Sequence, residues 1–179
     1  MKRNCIVYFI IGVIAILSVI RIITINSTAN EYKLRKENYA SAEQIDTTDF
    51  AYIVKRFRIL DASQMENEYS VSDNNIADDE IYYAIVDLEY TYTGSEAIVS
   101  PDIIEMDLMS DTWSNGVNMQ ATSQVNKSGF SVERDKSVSS TIVFNLRKDT
   151  FSKSGWKDVC NRGYQLVIMK YPDAIIIDL

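Results

Sequence analysis

The stretch Ile81–Thr93 reads Ile-Tyr-Tyr-Ala-Ile-Val-Asp-Leu-Glu-Tyr-Thr-Tyr-Thr, and it leaves the chain few folds to choose from. One parity holds Tyr82, Ala84, Val86, Leu88, Tyr90 and Tyr92. The other holds Ile81, Tyr83, Ile85, Asp87, Glu89 and Thr91, and it turns polar toward its end. Strand side chains point alternately to opposite faces, so this pattern is that of a half-buried strand. Its Tyr, Val, Ile and Thr content suits a pleated surface. The stretch is expected to be the central strand of a β-sandwich, against which the other strands find their register.

Tyr52–Asp61 reads as an earlier strand, with Ile53, Phe57 and Ile59 on one parity and Arg56 and Arg58 on the other. Later strands are expected in Ala97–Val99, Ile103–Met109, Val138–Leu146, Tyr164–Lys170 and Ala174–Leu179. Pro101 lacks a ladder donor and falls between two of them. Asp111–Gly116 contains an Asn-Gly step, a hairpin signal. Gln64–Glu80 and Val117–Lys136 read as polar connectors, and Asp149–Asn161 as a helical turn or an irregular loop around Trp156. About seven short strands with polar turns, and no amphipathic helix among them, imply an all-β antiparallel sandwich. The domain is expected to span residues 49–179, long enough to bury an adequate core.

The N-terminus has a different character. Lys2 and Arg3 precede an apolar run from Cys5 to Ile20, followed by Arg21 and Ile22-Ile23-Thr24-Ile25. A membrane-spanning helix needs about 20 apolar residues, and Cys5–Ile25 supplies that length with Arg21 as its one interruption. Arg21 lies about a turn from the outer end, where its stem can reach the headgroups. The basic N-terminus sets the orientation, with the N-terminus inside and the C-terminal domain outside. Residues 1–25 are thus expected to form a cytoplasmic stub and a signal anchor, and residues 26–48 a polar stalk. The alternative is secretion after cleavage near Ala29, behind a signal peptide whose apolar core would be unusually long.

Charge and residue usage exclude several classes of function. Removing Lys2, Arg3 and Arg21 from the 18 basic residues leaves 15 against 25 acidic ones, a formal charge of −10 after Ile25. A nucleic-acid binder needs clustered Lys and Arg, so nucleic acid is not an expected partner. Cys5 and Cys160, at opposite ends of the chain, are not expected to pair, and Cys160 reads as a small buried hydrophobe. The chain has no histidine, which removes histidine-dependent nucleophilic machinery and the usual zinc ligands.

The candidate sites are correspondingly spare. Asp73, Asp78, Asp79 and Glu80 cluster in one connector and are weak candidates for calcium, though their spacing matches no EF-hand loop. No other cofactor and no catalytic residue is assigned. Tyrosines and tryptophans offer rigid contact area, and Trp113, Tyr82 and Tyr92 are the candidates for binding a ligand or partner. The competing reading places the tyrosines in the sandwich core or in cross-strand pairs.

The string Tyr82–Gly94, the segment Ile103–Leu108 and the late strand Ser140–Leu146 together resemble immunoglobulin-like domains of unknown function in membrane-anchored and exported proteins of Gram-positive bacteria. The resemblance covers roughly residues 50–179. It departs from those domains at Ser131–Ser137, which replaces a Gly-rich turn, and it lacks a lipobox because Cys5 precedes the apolar run. It implies an extracytoplasmic immunoglobulin-like sandwich and brings no catalytic residues with it. The expected function is a membrane-anchored interaction module for a protein or envelope partner. A carboxylate-dependent hydrolase of envelope polymers, or a structural spacer, is the alternative.

Overall fold

The computed structural model describes residues 16–23, 35–73, 76–169 and 173–179. The chain divides into two compact units, Met1–Arg35 and Lys36–Leu179. In the first, residues 16–23 are helical, and Ile16, Leu17, Val19, Ile20, Ile22 and Ile23 are all exposed. Among the described residues no helix is long and apolar enough to cross a membrane. Most of the expected anchor, and the cleavage point near Ala29, lie outside the described residues.

The second unit is a β-sandwich. Its strands are β1 (Arg35–Ala40), β2 (Gln44–Asp46), β3 (Phe50–Asp61), β4 (Ile81–Tyr92), β5 (Ile98–Val99), β6 (Asp107–Ser110), β7 (Trp113–Gly116), β8 (Val132–Glu133), β9 (Ser137–Arg147), β10 (Gln165–Met169) and β11 (Asp173–Asp178). One sheet runs β2-β3-β4-β9 and the other β1-β11-β10-β6-β7, with β5 and β8 paired as a separate ribbon. β4 is central: it pairs with β3 from Phe50 opposite Tyr92 to Asp61 opposite Tyr82, and with β9 from Ile81 opposite Arg147 to Thr91 opposite Ser137.

The core forms where the two sheets face each other. Ala84, Val86, Leu88 and Tyr90 of β4, with Ile142 and Phe144 of β9, pack against Leu108, Leu166, Ile168, Ile175 and Ile177 of the opposite sheet. The other parity of β4 is buried as well. Ile81, Tyr83 and Ile85 lie under a second apolar cluster with Leu60, Met65, Val71 and Ala121. Two short helices supply the cover, α1 (Ala62–Tyr69) and α2 (Met119–Val125).

These helices correct the expectation of polar connectors over Gln64–Glu80 and Val117–Lys136. α1 starts with a capping box: Asp61 Oδ1 accepts from Gln64 N at 2.8 Å, and Asp61 N donates to Gln64 Oε1 at 2.9 Å. It ends at Ser70 in the left-handed region, φ 57°. Only Met65 is buried along its eight residues, so no apolar periodicity reaches the sequence. A third short helix, α3 (Lys153–Lys157), occupies the segment around Trp156.

Three further boundaries differ from expectation. Residues 35–46, within the expected stalk, carry β1 and β2, each an edge strand of a sheet. Their alternation is too short and too charged to read as strand, and pairing with their neighbours decides it. The β6–β7 turn falls at Asp111-Thr112, with Asp111 at φ 51°, whereas Asn115 and Gly116 are strand residues opposite Leu108 and Asp107. In β3 the register shifts between Val54 and Arg56. This bulge makes the inward set Tyr52 and Val54 before it and Phe57 and Ile59 after it, and Lys55 and Arg56 both point outward. There Lys55 pairs with Glu89 at 3.0 Å and Arg56 with Asp87 at 2.8 Å.

β9 is the edge strand of its sheet, and α2 covers its outer peptide groups. Asn126 donates to Thr141 O at 2.7 Å and accepts from Thr141 N at 2.8 Å, as a neighbouring strand would. Val143 N donates to Thr122 Oγ1 at 3.0 Å, and Val143 O accepts from Asn118 N at 2.8 Å. Asn115 Nδ2 donates to Asn145 O at 2.9 Å. Covering an edge in this way blocks pairing with another chain. Asn126→Ala leaves both peptide groups of Thr141 without these partners. It should lower unfolding free energy by about 1–3 kcal/mol in a urea titration, with Asn126→Asp, which keeps the acceptor but loses the donor, also destabilising. An unchanged midpoint for Asn126→Ala would show that water replaces the amide at no cost.

Candidate functional site

The surface beside α2, at the Ile81 end of β4, is concave and polar. Ser72, Asp73, Tyr83, Asn118, Gln120 and Gln124 line a cavity of about 220 Å³. Asp73, Asn118 and Gln120 also line a wider one of about 520 Å³, which extends over Asn115, Asn145, Arg147 and Asp149. The two adjoin through those shared residues and form one groove.

Each part of the groove is held by an element already described. Asn118 caps α2 by accepting from Ala121 N at 3.0 Å, and its Nδ2 donates to Asn145 Oδ1 at 2.8 Å. Arg147, the last residue of β9, grips Asp149 through two nitrogens, at 2.8 and 3.2 Å. Tyr83 forms part of the floor at 1% exposure. Burial raises its pKa above the usual tyrosine value, and the charges of Asp73 and Asp78 raise it further. Side-chain amides donate and accept but do not titrate. The groove is therefore suited to holding a polar ligand by hydrogen bonds, with one fixed cation–carboxylate pair at its mouth.

The residues singled out from the sequence fall in separate places. Asp73 lies in the groove, but Asp79 and Glu80 turn toward Lys148, at 3.8 and 3.5 Å. Asp78 opens the same 3-10 turn, Asp78–Glu80. Among the described residues no group of three or more acidic or cysteine side chains is placed to hold a metal ion, so the calcium candidates do not assemble into a site. Tyr92 is corrected outright as a surface ligand residue. It is 3% exposed in the core, and its hydroxyl accepts from Glu96 N at 2.9 Å. A Cβ at Gly94 would meet the Tyr92 ring at 2.6 Å, so only glycine allows that approach.

Tyr82 and Trp113 belong to an aromatic plug. Tyr82 packs on Trp156 at 5.2 Å, Trp156 on Phe151 at 6.0 Å, and Phe151 stacks on Trp113 at 4.7 Å. Trp113 also meets Tyr164 edge-on, and Trp113 Nε1 donates to Thr150 Oγ1 at 3.0 Å. Arg162 lies over the Phe151 ring and pairs with Asp111 at 2.6 Å. The rings contact one another, so both residues are occupied in packing. Cys160, expected to be buried, is exposed, and its pKa is raised, chiefly by partial desolvation. The groove amides carry no signal in the sequence, because their register against β9 is a property of the folded chain.

Residues 30–174 match the model of a family described as "Domain of unknown function (DUF5028)". No curated protein matches the chain. Among solved structures, a candidate lipoprotein from Bacillus subtilis subsp. subtilis str. 168 is 16% identical at a TM-score of 0.50, over 78% of this chain and 38% of that one. The chain thus spans well under half the length of that relative, and the likeness is one of fold. An uncharacterized beta-sandwich protein from Clostridium difficile 630 is 11% identical at a TM-score of 0.48, over 82% and 97% of the two chains. A conserved hypothetical protein from Bacillus anthracis is 14% identical at 0.45, over 72% and 88%.

The aromatic plug predicts a response to alkali. Burial pushes the Tyr164 pKa up to about 12, from the usual tyrosine value of 10.0. A raised tyrosine pKa favours the neutral form in the folded state. Its stabilising contribution is complete below pH 10.0 and is lost as pH rises through about 12. Tyr164→Phe should remove this part of the alkaline loss, measured as unfolding midpoint against pH. It should cost stability at neutral pH, because the hydroxyl donates to Val159 O at 2.8 Å.

Proposed function

We propose that this protein, which belongs to the DUF5028 family of domains of unknown function, is a membrane-anchored module that binds an envelope partner outside the cell through the polar groove beside α2. The observation that carries this reading is the groove itself. It is rigidly framed by the α2–β9 hydrogen bonds and lined by amides with one Arg147–Asp149 pair, which is recognition chemistry rather than bond-making chemistry. The sandwich serves as an immunoglobulin-like scaffold in the broad sense of two facing antiparallel sheets. The module works without catalysis and without nucleic acid, in keeping with its net negative charge.

The location is part of the same proposal. Residues 5–25 anchor the chain, N-terminus inside and sandwich outside, and the exposed apolar side chains on helical residues 16–23 support a lipid setting. Release after cleavage near Ala29 would give a secreted form of the same module.

Cross-linking pull-down from intact membranes tests the reading, using the tagged full-length protein beside a form lacking residues 1–25. A recurrent partner should be recovered with the full-length chain. Arg147→Ala combined with Gln120→Ala should weaken its capture about tenfold while the fold persists, because an exposed ion pair contributes little stability. Equal capture by the double variant would remove the groove from the interface.

A further inference from the structure

The polar groove beside α2 continues past its Arg147–Asp149 mouth. A third cavity, of about 280 Å³, is lined by Ile76, Glu80 and Lys148 together with the same Arg147 and Asp149. The wide part shares those two residues with it, and shares Asp73, Asn118 and Gln120 with the first cavity. Three adjoining depressions thus run from Gln124 on α2, past the ends of β7 and β9, to Glu80 just ahead of β4. A surface of this form fits an elongated ligand of several linked units.

The lining narrows the class of that ligand. A polyanion needs uncompensated cations, but Arg147 is held by Asp149 at 2.8 Å and Lys148 faces Glu80 at 3.5 Å and Asp79 at 3.8 Å. An extended peptide binds most simply by adding a strand to a free sheet edge. Here the β9 edge is already taken: Thr141 is paired with Asn126, Val143 with Thr122 and Asn118, and Asn145 O with Asn115. Peptide side chains also need apolar pockets. The apolar residues of the floor, Val71, Tyr83 and Ala121, are sealed, the most exposed of them at 4%.

What the groove offers instead is a row of groups that both donate and accept. Gln120 and Gln124 are exposed and stand one turn apart on the same face of α2. A side-chain amide has two N–H donors and two acceptor lone pairs. Asn118, which gives one N–H to Asn145 and takes one from Ala121 N, therefore keeps capacity for a ligand, as does Asn115 after its single N–H bond to Asn145 O. The Arg147–Asp149 and Lys148–Glu80 pairs set donors beside acceptors in the same manner. A sugar hydroxyl is the matching group, because one oxygen both donates and accepts and its neighbours on the ring lie at fixed spacing.

We infer that the groove binds a neutral glycan chain, several sugar units long, through its hydroxyl groups. The inference rests on the groove reading given under the proposed function and names the chemical class of its ligand. Gln120 and Gln124 hold one end of the chain, Asn115 and the Arg147–Asp149 pair the middle, and Lys148 with Glu80 the other end. Among the described residues that line the groove the one ring is Tyr83, which is buried in the floor, and the nearby Trp113 ring is occupied by Phe151 and Tyr164. Recognition therefore depends on hydrogen bonds along the chain, and affinity grows with the number of units rather than from one stacked sugar.

Calorimetric titration of the full-length protein tests the site, in a polyoxyethylene detergent that carries no sugar. The probes are the neutral hexamers of N-acetylglucosamine and of glucose, their dimers, and the anionic hexamer of galacturonate. A neutral hexamer should bind, with its dimer and the galacturonate hexamer at least about tenfold weaker. Gln120→Ala combined with Gln124→Ala should weaken the hexamer about tenfold. The urea midpoint should not fall, because both side chains are exposed and alanine is a good helix former. No binding of either neutral hexamer, equal binding of the dimer or of galacturonate, or binding that survives the double glutamine variant would overturn the assignment. The pull-down from membranes separates this inference from the wider reading. A protein partner that is lost on Arg147→Ala with Gln120→Ala, yet undisturbed by either neutral hexamer, overturns the glycan assignment alone. Equal capture by that variant overturns the wider reading as well.

Discussion

The structure depends on β4 being buried on both faces. A strand at the middle of a sheet satisfies its peptide groups through its neighbours, here β3 and β9. Its side chains then need apolar cover above and below. The facing sheet covers Ala84, Val86, Leu88 and Tyr90, and the short helices cover Ile81, Tyr83 and Ile85. Toward Tyr92 the outer cover stops and the outward residues become Asp87, Glu89 and Thr91, which face water through cross-strand partners. The polar shift within one strand thus marks where the helices end.

That cover also creates the groove. A helix laid over a sheet edge must meet peptide groups that no strand pairs, and α2 does so with Asn118, Thr122 and Asn126, spaced about one helical turn apart. Asn126 presents a carbonyl and an amide much as a strand residue does. The same docking leaves Gln120 and Gln124 beside Asp73, with the ends of β7 and β9 alongside. Asn118 belongs to both: it bonds the β9 edge and lines the groove.

The two ends of the sandwich are closed by different means. At the Ile81 end a chain of rings from Tyr82 to Trp113 fills the opening, with Arg162 laid over Phe151. At the Tyr92 end the closure is tighter around Gly94, where the Tyr92 ring leaves no room for a side chain, yet a cleft lined by Asp49, Asp102 and Glu105 remains beside Tyr52. The core is thus sealed at one end and indented at the other.

The sequence by itself determined the all-β class, the central place of Ile81–Tyr92 and the approximate positions of β3, β9, β10 and β11. Alternation is a local property, and it survives wherever one face stays apolar over many residues. It also determined the acidity of the domain and the contrast with the apolar N-terminal run. Only the tertiary structure decided the rest, because the deciding contacts are distant in the chain. The bulge at Lys55 reverses the parity of β3 and is set by pairing with β4. β1 and β2 are strands through the sheets they join, and α1 and α2 are helices through the cover they provide, not through a periodicity of their own. Whether a tyrosine is a ligand platform or a core residue was beyond the pattern: Tyr82, Tyr90 and Tyr92 share one parity, and only the opposite sheet and the Gly94 corner place Tyr92 inside.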